Sequence, residues 1–234
     1  MKNNPACLIT GAAGGIGKAI AQKLSSLNHN LILVSKSKVK LEKLVIHLKK
    51  SSNVKITSYV CDLSSLKEIE KLLIKLRGKR IDILINNAAI FNVADFTKEK
   101  HSEMQEAINV NLLAPIMLCK SAIKNMKKRK KGKIIFIGST SAYKGEKNVS
   151  TYCVSKHGLL GLSKSINDEF NRFNIQSTII SPGLVKTKLN VKKRNGQNYD
   201  TFTEPNEIAE YIAFLIQDHS CSFIPEIMVR RRFA

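Results

Sequence analysis

The stretch Thr10-Gly11-Ala12-Ala13-Gly14-Gly15-Ile16-Gly17 decides the fold of this chain, because it joins a short apolar run, Ala6–Thr10, to an amphipathic stretch. Gly11 permits a tight turn, Gly15 lets the backbone approach a phosphate, and Gly17 lets a helix pack closely on a strand. The start of a helix offers free N–H groups and the positive end of its dipole. A strand before the loop and a helix after it therefore predict a dinucleotide-binding loop.

Short β-branched runs alternate with amphipathic stretches along the rest of the chain. The predicted strands are Ala6–Thr10, Asn30–Ser35, Lys55–Val60, Ile81–Asn86, Lys133–Gly138, Ile175–Ser181 and Ser222–Val229. The predicted helices are Gly15–Asn28, Lys38–Lys50, Leu66–Arg77, Glu103–Lys127, Thr151–Phe173 and Glu204–Gln217. Repeated strand–helix–strand units imply parallel strands with right-handed crossovers. We predict an α/β fold, a single doubly wound Rossmann-type domain over residues 1–234, with a seven-stranded parallel sheet flanked by helices on both faces.

The end of the second predicted strand bears on which dinucleotide is bound. Folds that select NAD place an acidic residue near this point for the ribose 2′-hydroxyl, and Leu33-Val34-Ser35-Lys36 has none. Ser35 can hydrogen-bond a 2′-phosphate, and Lys36 supplies positive charge. The pattern favours NADP(H) over NAD(H), although Lys36 can also be read as one more surface lysine.

Tyr152 and Lys156 stand four residues apart at the start of a predicted helix, so their side chains share one face. A free tyrosine has a pKa of about 10, and a neighbouring ammonium lowers that value by favouring the phenolate. Such a pair suits general acid–base catalysis.

The order of several motifs now resembles the short-chain dehydrogenases/reductases, from Leu8 to about Ile227. The motifs are the glycine loop Thr10–Gly17, Asp62-Leu63, Asn86-Asn87-Ala88, Asn111, Ser139, Tyr152 with Lys156, and Pro182-Gly183 with Thr187. The resemblance implies an NADP(H)-dependent enzyme that moves a hydride between nicotinamide and a carbonyl or secondary alcohol. Two departures are Ala89 in place of a glycine and a C-terminus without an aspartate-glycine-glycine turn.

The resemblance also implies the catalytic roles. Tyr152 exchanges a proton with the substrate oxygen, and Ser139 hydrogen-bonds that oxygen. Lys156 lowers the tyrosine pKa and binds the nicotinamide ribose, while Asn111 holds a water that links Lys156 to solvent. Structural alternatives remain for Ser139 as a loop cap beside Thr140 and Ser141, and for Asn111 as a cap of a helix kink before Pro115.

The cofactor contacts implied by the resemblance cover the carboxyl ends of most strands. Asp62 contacts the adenine, with Leu63 contributing backbone, although Asp62 can instead be a turn residue before Ser64. The full predicted set is Thr10, Gly11, Ala13, Gly14, Gly15, Ile16, Gly17, Ser35, Lys36, Asp62, Leu63, Asn87, Ala88, Tyr152, Lys156, Pro182, Gly183, Val185 and Thr187.

Composition limits the class of protein and its surroundings. The five cysteines, Cys7, Cys61, Cys119, Cys153 and Cys221, are scattered without a CxxC pair, which argues against disulfides and metal sites and for a reducing cytoplasm. We find no apolar stretch long enough for a bilayer and expect no membrane partner. The formal net charge of +21 favours anionic partners, but evenly spread lysines also fit a compositional bias. We expect no specific nucleic acid.

The substrate is less clearly indicated. The best general likeness is to 3-oxoacyl-carrier-protein reductases, which implies an acyl carrier protein or coenzyme A thioester. The alternatives are a general carbonyl or 3-hydroxy acid dehydrogenase and, more distantly, a nonenzymatic NADP-binding sensor. A lid is expected near residues 186–203, with Lys186, Lys188, Lys192, Lys193 and Arg194, and a second basic cluster at Lys124, Lys127, Lys128, Arg129, Lys130 and Lys131. The resemblance also implies a homodimer or homotetramer.

Overall fold

A computed structural model describes residues 4–187, 199–217 and 222–231. These residues form seven strands: β1 (Ala6–Thr10), β2 (Asn30–Ser35), β3 (Ile56–Val60), β4 (Ile83–Asn86), β5 (Gly132–Ile137), β6 (Ile175–Pro182) and β7 (Glu226–Val229). All pairs are parallel, in the order β3-β2-β1-β4-β5-β6-β7. The predicted α/β class and seven-stranded parallel sheet are confirmed. The last strand begins later than expected, because Pro225 has no N–H to donate.

Helices cover both faces of the sheet. Within the described residues they are α1 (Gly15–Ser26), α2 (Lys38–Ser51), α3 (Leu66–Leu76), α4 (His101–Ile108), α5 (Ala114–Arg129), α6 (Ser150–Phe170) and α7 (Pro205–Leu215). Successive strand residues point to opposite faces. In β1, therefore, Ile9 packs in the core under α1, α2 and α7, while Leu8 packs in the core under α3, α5 and α6.

The predicted helix Glu103–Lys127 is interrupted where α4 meets α5. Residues Asn109–Leu113 form a π-helical turn, in which the Ala114 N–H bonds the Asn109 carbonyl five residues back. Pro115, which cannot donate a backbone hydrogen bond, stands two residues after the end of this turn. The interruption faces the carboxyl edge of the sheet, a position typical of π-turns at functional sites.

The combined helix His101–Arg129 meets the length and hydropathy of a membrane span by composition alone, and 56% of its most apolar window is buried. Ala114, Leu118, Ala122 and Met126 supply much of that apolar surface and pack against the sheet. The hydropathy of this helix is therefore explained by the core.

Candidate active site

The glycine loop lies between β1 and α1, at the point where β1 pairs with both β2 and β4. Such a switch in strand order is where open α/β sheets bind ligands. Gly11 has a positive φ of 61°. A Cβ on Gly17 would lie 2.2 Å from the Gly11 carbonyl oxygen and 2.8 Å from the Ala12 Cα. The loop therefore requires glycine at both positions.

The amino end of α1 is open to an anion. Its N-cap residue is Gly14, no side chain caps the first turn, and no acidic residue occurs there. The first backbone N–H groups of a helix have no partner within the helix. This end of α1 fits the pyrophosphate of a dinucleotide, through the predicted residues from Ala13 to Gly17.

Asn87, which follows β4, supports the glycine loop through hydrogen bonds. Its Nδ2 donates to the carbonyl oxygens of Thr10 and Gly11, at 2.9 and 3.2 Å. The Thr10 Oγ1 accepts from the backbone N–H groups of Asn87 and Ala88, at 3.0 and 3.1 Å. The sequence analysis included Asn87 among the cofactor contacts implied by the resemblance and did not anticipate this supporting contact. Ala89 is not among the positive-φ residues, so its extra methyl group needs no strained backbone.

Lys36 and Asp62 meet at the carboxyl ends of β2 and β3. The Lys36 Nζ lies 2.7 Å from the Asp62 Oδ2 and 3.7 Å from the Glu106 Oε1. The hydrogen bond with Asp62 raises the pKa of Lys36. Burial raises the pKa of Asp62, but hydrogen bonds from Lys36 and Ser64 outweigh it and leave that pKa below its ordinary value. Two residues predicted separately as cofactor contacts are thus paired with each other.

The segment after β6 reaches back to the glycine loop. A Cβ on Gly15 would lie 2.7 Å from the Thr187 Cγ2, so Thr187 lies directly against the start of α1. Val185 pairs with Thr203 in an isolated bridge, and the Gly183 N–H donates to the Val229 carbonyl at 2.9 Å. The predicted lid is described only in part, since residues 188–198, including Lys188, Lys192, Lys193 and Arg194, lie outside the described residues.

Tyr152 and Ser139 face each other across the carboxyl ends of the central strands. Tyr152 lies on the first turn of α6 and packs edge-on against Phe91, with ring centroids 4.8 Å apart. Burial raises the pKa of Tyr152 to about 12, although a hydrogen bond with Ser139 opposes the shift and the Glu146 carboxylate adds to it. The phenol is therefore protonated at neutral pH.

Lys156 is 2% exposed. Its Nζ donates to the Ile137 carbonyl at 2.8 Å and lies 5.5 Å from the centroid of the Tyr152 ring. Burial lowers the pKa of Lys156 to about 7. The predicted i, i+4 pair is thus brought together, with the ammonium over the ring. Its predicted effect on the tyrosine pKa stays a prediction.

Asn111 lies in the π-turn and is fully buried. Its Oδ1 accepts from the Ile90 N–H at 2.7 Å, and its Nδ2 donates to the Ile90 carbonyl at 2.9 Å and to the Ser155 Oγ at 3.1 Å. Ser155 in turn donates to the Tyr152 carbonyl at 2.7 Å. The side chain therefore ties the π-turn to α6, and its water-holding role stays a prediction.

The remaining expectations concern metals and thiols. The described residues contain no cluster of three or more His, Cys, Asp or Glu side chains suited to a metal ion. Cys7, Cys61, Cys119 and Cys153 are free and buried, and burial raises the pKa of Cys61 to about 11 and that of Cys119 to about 12. Cys221 lies outside the described residues.

Two residues of the site were missed by the sequence analysis as functional candidates. Ser141 appeared only as a hydroxyl near Ser139, and Glu146 was not singled out. In the structure, the Ser141 Oγ donates to the Glu146 Oε1 at 2.7 Å. The only signal was the Ser139-Thr140-Ser141 run, because a loop contact of this kind has no periodicity.

Comparison with known proteins agrees with this geometry. The family model described as short chain dehydrogenase matches residues 5–198. The 3-oxoacyl-(acyl-carrier-protein) reductase FabG of Rickettsia felis is 34% identical over 221 residues, covering 91% of this chain and 89% of the relative. Carbonyl reductase family member 4 of Xenopus laevis is 29% identical over 221 residues, covering 90% of each. The crystal structure of a metagenomic short-chain oxidoreductase in complex with NADP is 29% identical, with a TM-score of 0.84 and 98% of each chain covered.

Proposed function

This chain belongs to the short-chain dehydrogenase family, and on that premise we propose that it is an NADP(H)-dependent oxidoreductase that interconverts a carbonyl compound and a secondary alcohol. The observation that carries the proposal is one juxtaposition at the carboxyl edge of the sheet. There, Tyr152 lies near Ser139 and Lys156, at the same edge of the sheet as the uncapped amino end of α1.

The proposed proton chemistry follows from these side chains. In reduction, the Tyr152 phenol donates its proton to the carbonyl oxygen, and the Ser139 hydroxyl hydrogen-bonds the same oxygen. A pKa of about 12 keeps the phenol protonated before this step. Lys156 binds the nicotinamide ribose and stabilises the phenolate that remains. Asn111 holds the water through which Lys156 exchanges protons with solvent.

The cofactor is NADP(H), which when bound supplies or accepts the hydride. The backbone of Ala13–Gly17 holds the pyrophosphate, and Ser35 and Lys36 hold the 2′-phosphate. The supporting observations are that neither Ser35, the last residue of β2, nor Lys36 is acidic, and that a solved relative is in complex with NADP. Lys36 contacts Asp62 in this structure, so its ammonium would have to leave that ion pair to hold a 2′-phosphate. Lys36→Ala should raise the KM for NADPH more than that for NADH.

The other predicted contacts complete the cofactor site. Asp62 and Leu63 line the adenine, Asn87 and Ala88 the ribose, and Pro182, Gly183, Val185 and Thr187 the nicotinamide and its carboxamide. The contact between Thr187 and Gly15 supports placing this segment over the pyrophosphate.

The preferred substrate is a 3-oxoacyl thioester carried by acyl carrier protein or coenzyme A. This assignment is supported by the 34% sequence identity to the Rickettsia felis reductase and by the net charge of +21. In the basic cluster at the carboxyl end of α5, Arg129 is already engaged, because its Nη2 donates to the Ile81 carbonyl at 2.7 Å. Lys127, Lys128 and Lys130 are exposed and form the surface for an anionic carrier. A general carbonyl or 3-hydroxy acid dehydrogenase is the alternative, favoured by the carbonyl reductase relative.

The proposed assembly is a homodimer or homotetramer. Ile116 on α5 and Val154 on α6 are exposed apolar residues, at 37% and 61%, which supports helix pairing between subunits. Light scattering after size exclusion tests this proposal, and a monomer at micromolar concentration would contradict it.

The function is tested by following the oxidation of NADPH and NADH with acetoacetyl thioesters, diketones, quinones and simple ketones. Tyr152→Phe removes only the acidic hydroxyl, and Tyr211→Phe on α7 is the matched control. We expect turnover with NADPH that falls about 10³-fold or more in Tyr152→Phe and is unchanged in Tyr211→Phe. Saturable NADPH binding without turnover would favour the nonenzymatic sensor, and equal rates with thioesters and ketones would favour the general carbonyl reductase.

A further inference from the structure

The Lys36 ammonium is shared by two carboxylates that come from different parts of the chain. Its Nζ lies 2.7 Å from the Asp62 Oδ2, just after β3, and 3.7 Å from the Glu106 Oε1 on α4. In a chain with 39 basic and 18 acidic residues, the carboxylates here outnumber the cation that they contact. Two negative charges therefore act on one positive charge.

The fold holds Glu106 at this place. The Asn109 Nδ2 donates to the Ser64 carbonyl at 2.8 Å, so the carboxyl end of α4 is fixed against the turn that contains Asp62. Asn109 is buried, which makes this contact part of the packed interior. The position of Glu106 beside Lys36 is therefore set by the packing of α4.

The two carboxylates differ in their other contacts. The Asp62 Oδ1 accepts from the Ser64 N–H and from the Ser64 Oγ, at 3.0 and 2.7 Å, and Asp62 is also the proposed adenine contact. Within the residues that the structure describes, Lys36 is the only partner of the Glu106 carboxylate. The charge of Glu106 therefore acts on Lys36 without supporting a neighbouring turn.

A 2′-phosphate needs the same ammonium. A phosphate oxygen hydrogen-bonded to an ammonium lies about 2.8 Å from its nitrogen. Because the Glu106 Oε1 is 3.7 Å from that nitrogen, an ammonium near its present position brings the two anions within about 6–7 Å, less than the screening length of about 8 Å at physiological salt. The phosphate therefore competes with Glu106 for Lys36 and is repelled by it, whereas an uncharged ribose 2′-hydroxyl is not.

From this arrangement we infer that Glu106 is a specificity-determining residue, whose carboxylate competes with the 2′-phosphate for the Lys36 ammonium and so limits the preference for NADP(H) over NAD(H). The inference rests on the proposed function for the position of the 2′-phosphate at Lys36. It adds a residue on α4 to the selection of the dinucleotide, outside the glycine loop and the end of β2.

Dinucleotide binding tests the inference without any substrate. The Kd values of NADP⁺ and NAD⁺, which differ only by the 2′-phosphate, are measured by isothermal calorimetry at low and at high salt. Glu106→Gln removes the charge and keeps the shape of the side chain. The matched control is Glu169→Gln, which changes the net charge equally. Glu169 is exposed near the end of α6, which leads into β6 at the opposite edge of the sheet.

We expect Glu106→Gln to tighten the binding of NADP⁺ about three- to tenfold at low salt, with the Kd of NAD⁺ changed less than about twofold. The gain should shrink at high salt, because added ions screen the charge. Glu169→Gln should leave the ratio of the two Kd values unchanged. An unchanged ratio in Glu106→Gln, or an equal change in Glu169→Gln, would overturn the inference.

Lys36→Met separates competition for the ammonium from repulsion of the phosphate. In the Lys36→Met background, Glu106→Gln should tighten NADP⁺ binding about twofold at most, because no ammonium remains to be released. An equal gain with and without Lys36 would contradict the competition. If the wild-type protein binds neither dinucleotide, the proposed function fails and the inference fails with it. If both bind and their ratio does not respond to Glu106→Gln, only the role of Glu106 fails.

Discussion

Replacing Lys156 with methionine should stabilise the fold in a way that depends on pH. Lys156 is 2% exposed, and burial lowers its pKa from the ordinary value of 10.5 to about 7. At a pH where the lysine is charged in both the folded and the unfolded protein, this difference in pKa destabilises the folded state by roughly 4–5 kcal/mol. Lys156→Met removes this destabilisation, but it also removes the 2.8 Å hydrogen bond to the Ile137 carbonyl, which costs about 1 kcal/mol of the stability gained.

The direction of the pH dependence follows from the number of protons that the folded and unfolded states bind. Above pH 7 the folded lysine is neutral while the unfolded lysine still binds a proton, so the stability of the wild-type protein rises with pH between 7 and about 10.5. Below pH 7 the penalty is fully present. A methionine carries no such dependence. The advantage of Lys156→Met should therefore shrink by about 2–3 kcal/mol between pH 6 and pH 9.

Urea unfolding of both proteins at pH 6 and pH 9, without cofactor, measures this difference. Lys40→Met is the control, because Lys40 is an exposed lysine on α2 whose loss lowers the net charge equally. An advantage of Lys156→Met that is the same at both pH values, or no larger than that of Lys40→Met, would refute the effect of burial on this ammonium.

Three further changes test the loop and the π-turn. Gly17→Ala should abolish NADPH binding or folding, measured by cofactor fluorescence and circular dichroism, because its Cβ would lie 2.2 Å from the Gly11 oxygen; retained affinity would contradict the required contact. Asn87→Ala should weaken NADPH binding about tenfold, since two hydrogen bonds that hold the loop are lost; isothermal calorimetry with an unchanged Kd would count against this role. Asn111→Ala should lower the free energy of unfolding by about 2–3 kcal/mol, because both Ile90 backbone groups lose their partner. A loss below about 0.5 kcal/mol, which is that of an ordinary surface substitution, would exclude a structural role for the Asn111 side chain.

The fold could be predicted from the sequence because its elements are periodic. Apolar runs such as Ile83-Leu84-Ile85 and the glycine loop fix buried strands and their connections, and every predicted strand is present. The π-turn at Asn109–Leu113 could not be predicted in the same way. It changes the hydrogen-bond partner by one residue and leaves the apolar pattern of the helix intact.

The sequence names candidate site residues, but it does not predict the contacts that the structure shows among them. Motif order places Lys36 and Asp62 on different strands, and only the pairing of β2 with β3 brings them to 2.7 Å. The supporting role of Asn87 also depends on two strands that are adjacent in space and distant in sequence. Contacts between loops follow from tertiary packing, which residue spacing does not encode.

The interior position of β1, between β2 and β4, has a consequence for how the chain folds. Its partner β4 is reached only after a long separation, with Thr10 and Ile85 bonded across 75 residues. Pairing over such separations closes large loops, so it slows folding. During synthesis, one edge of β1 therefore stays open while the first three strand–helix units leave the ribosome. We expect this open edge of β1, a strand that contains the apolar residues Leu8 and Ile9, to be the part of the nascent chain most exposed to aggregation.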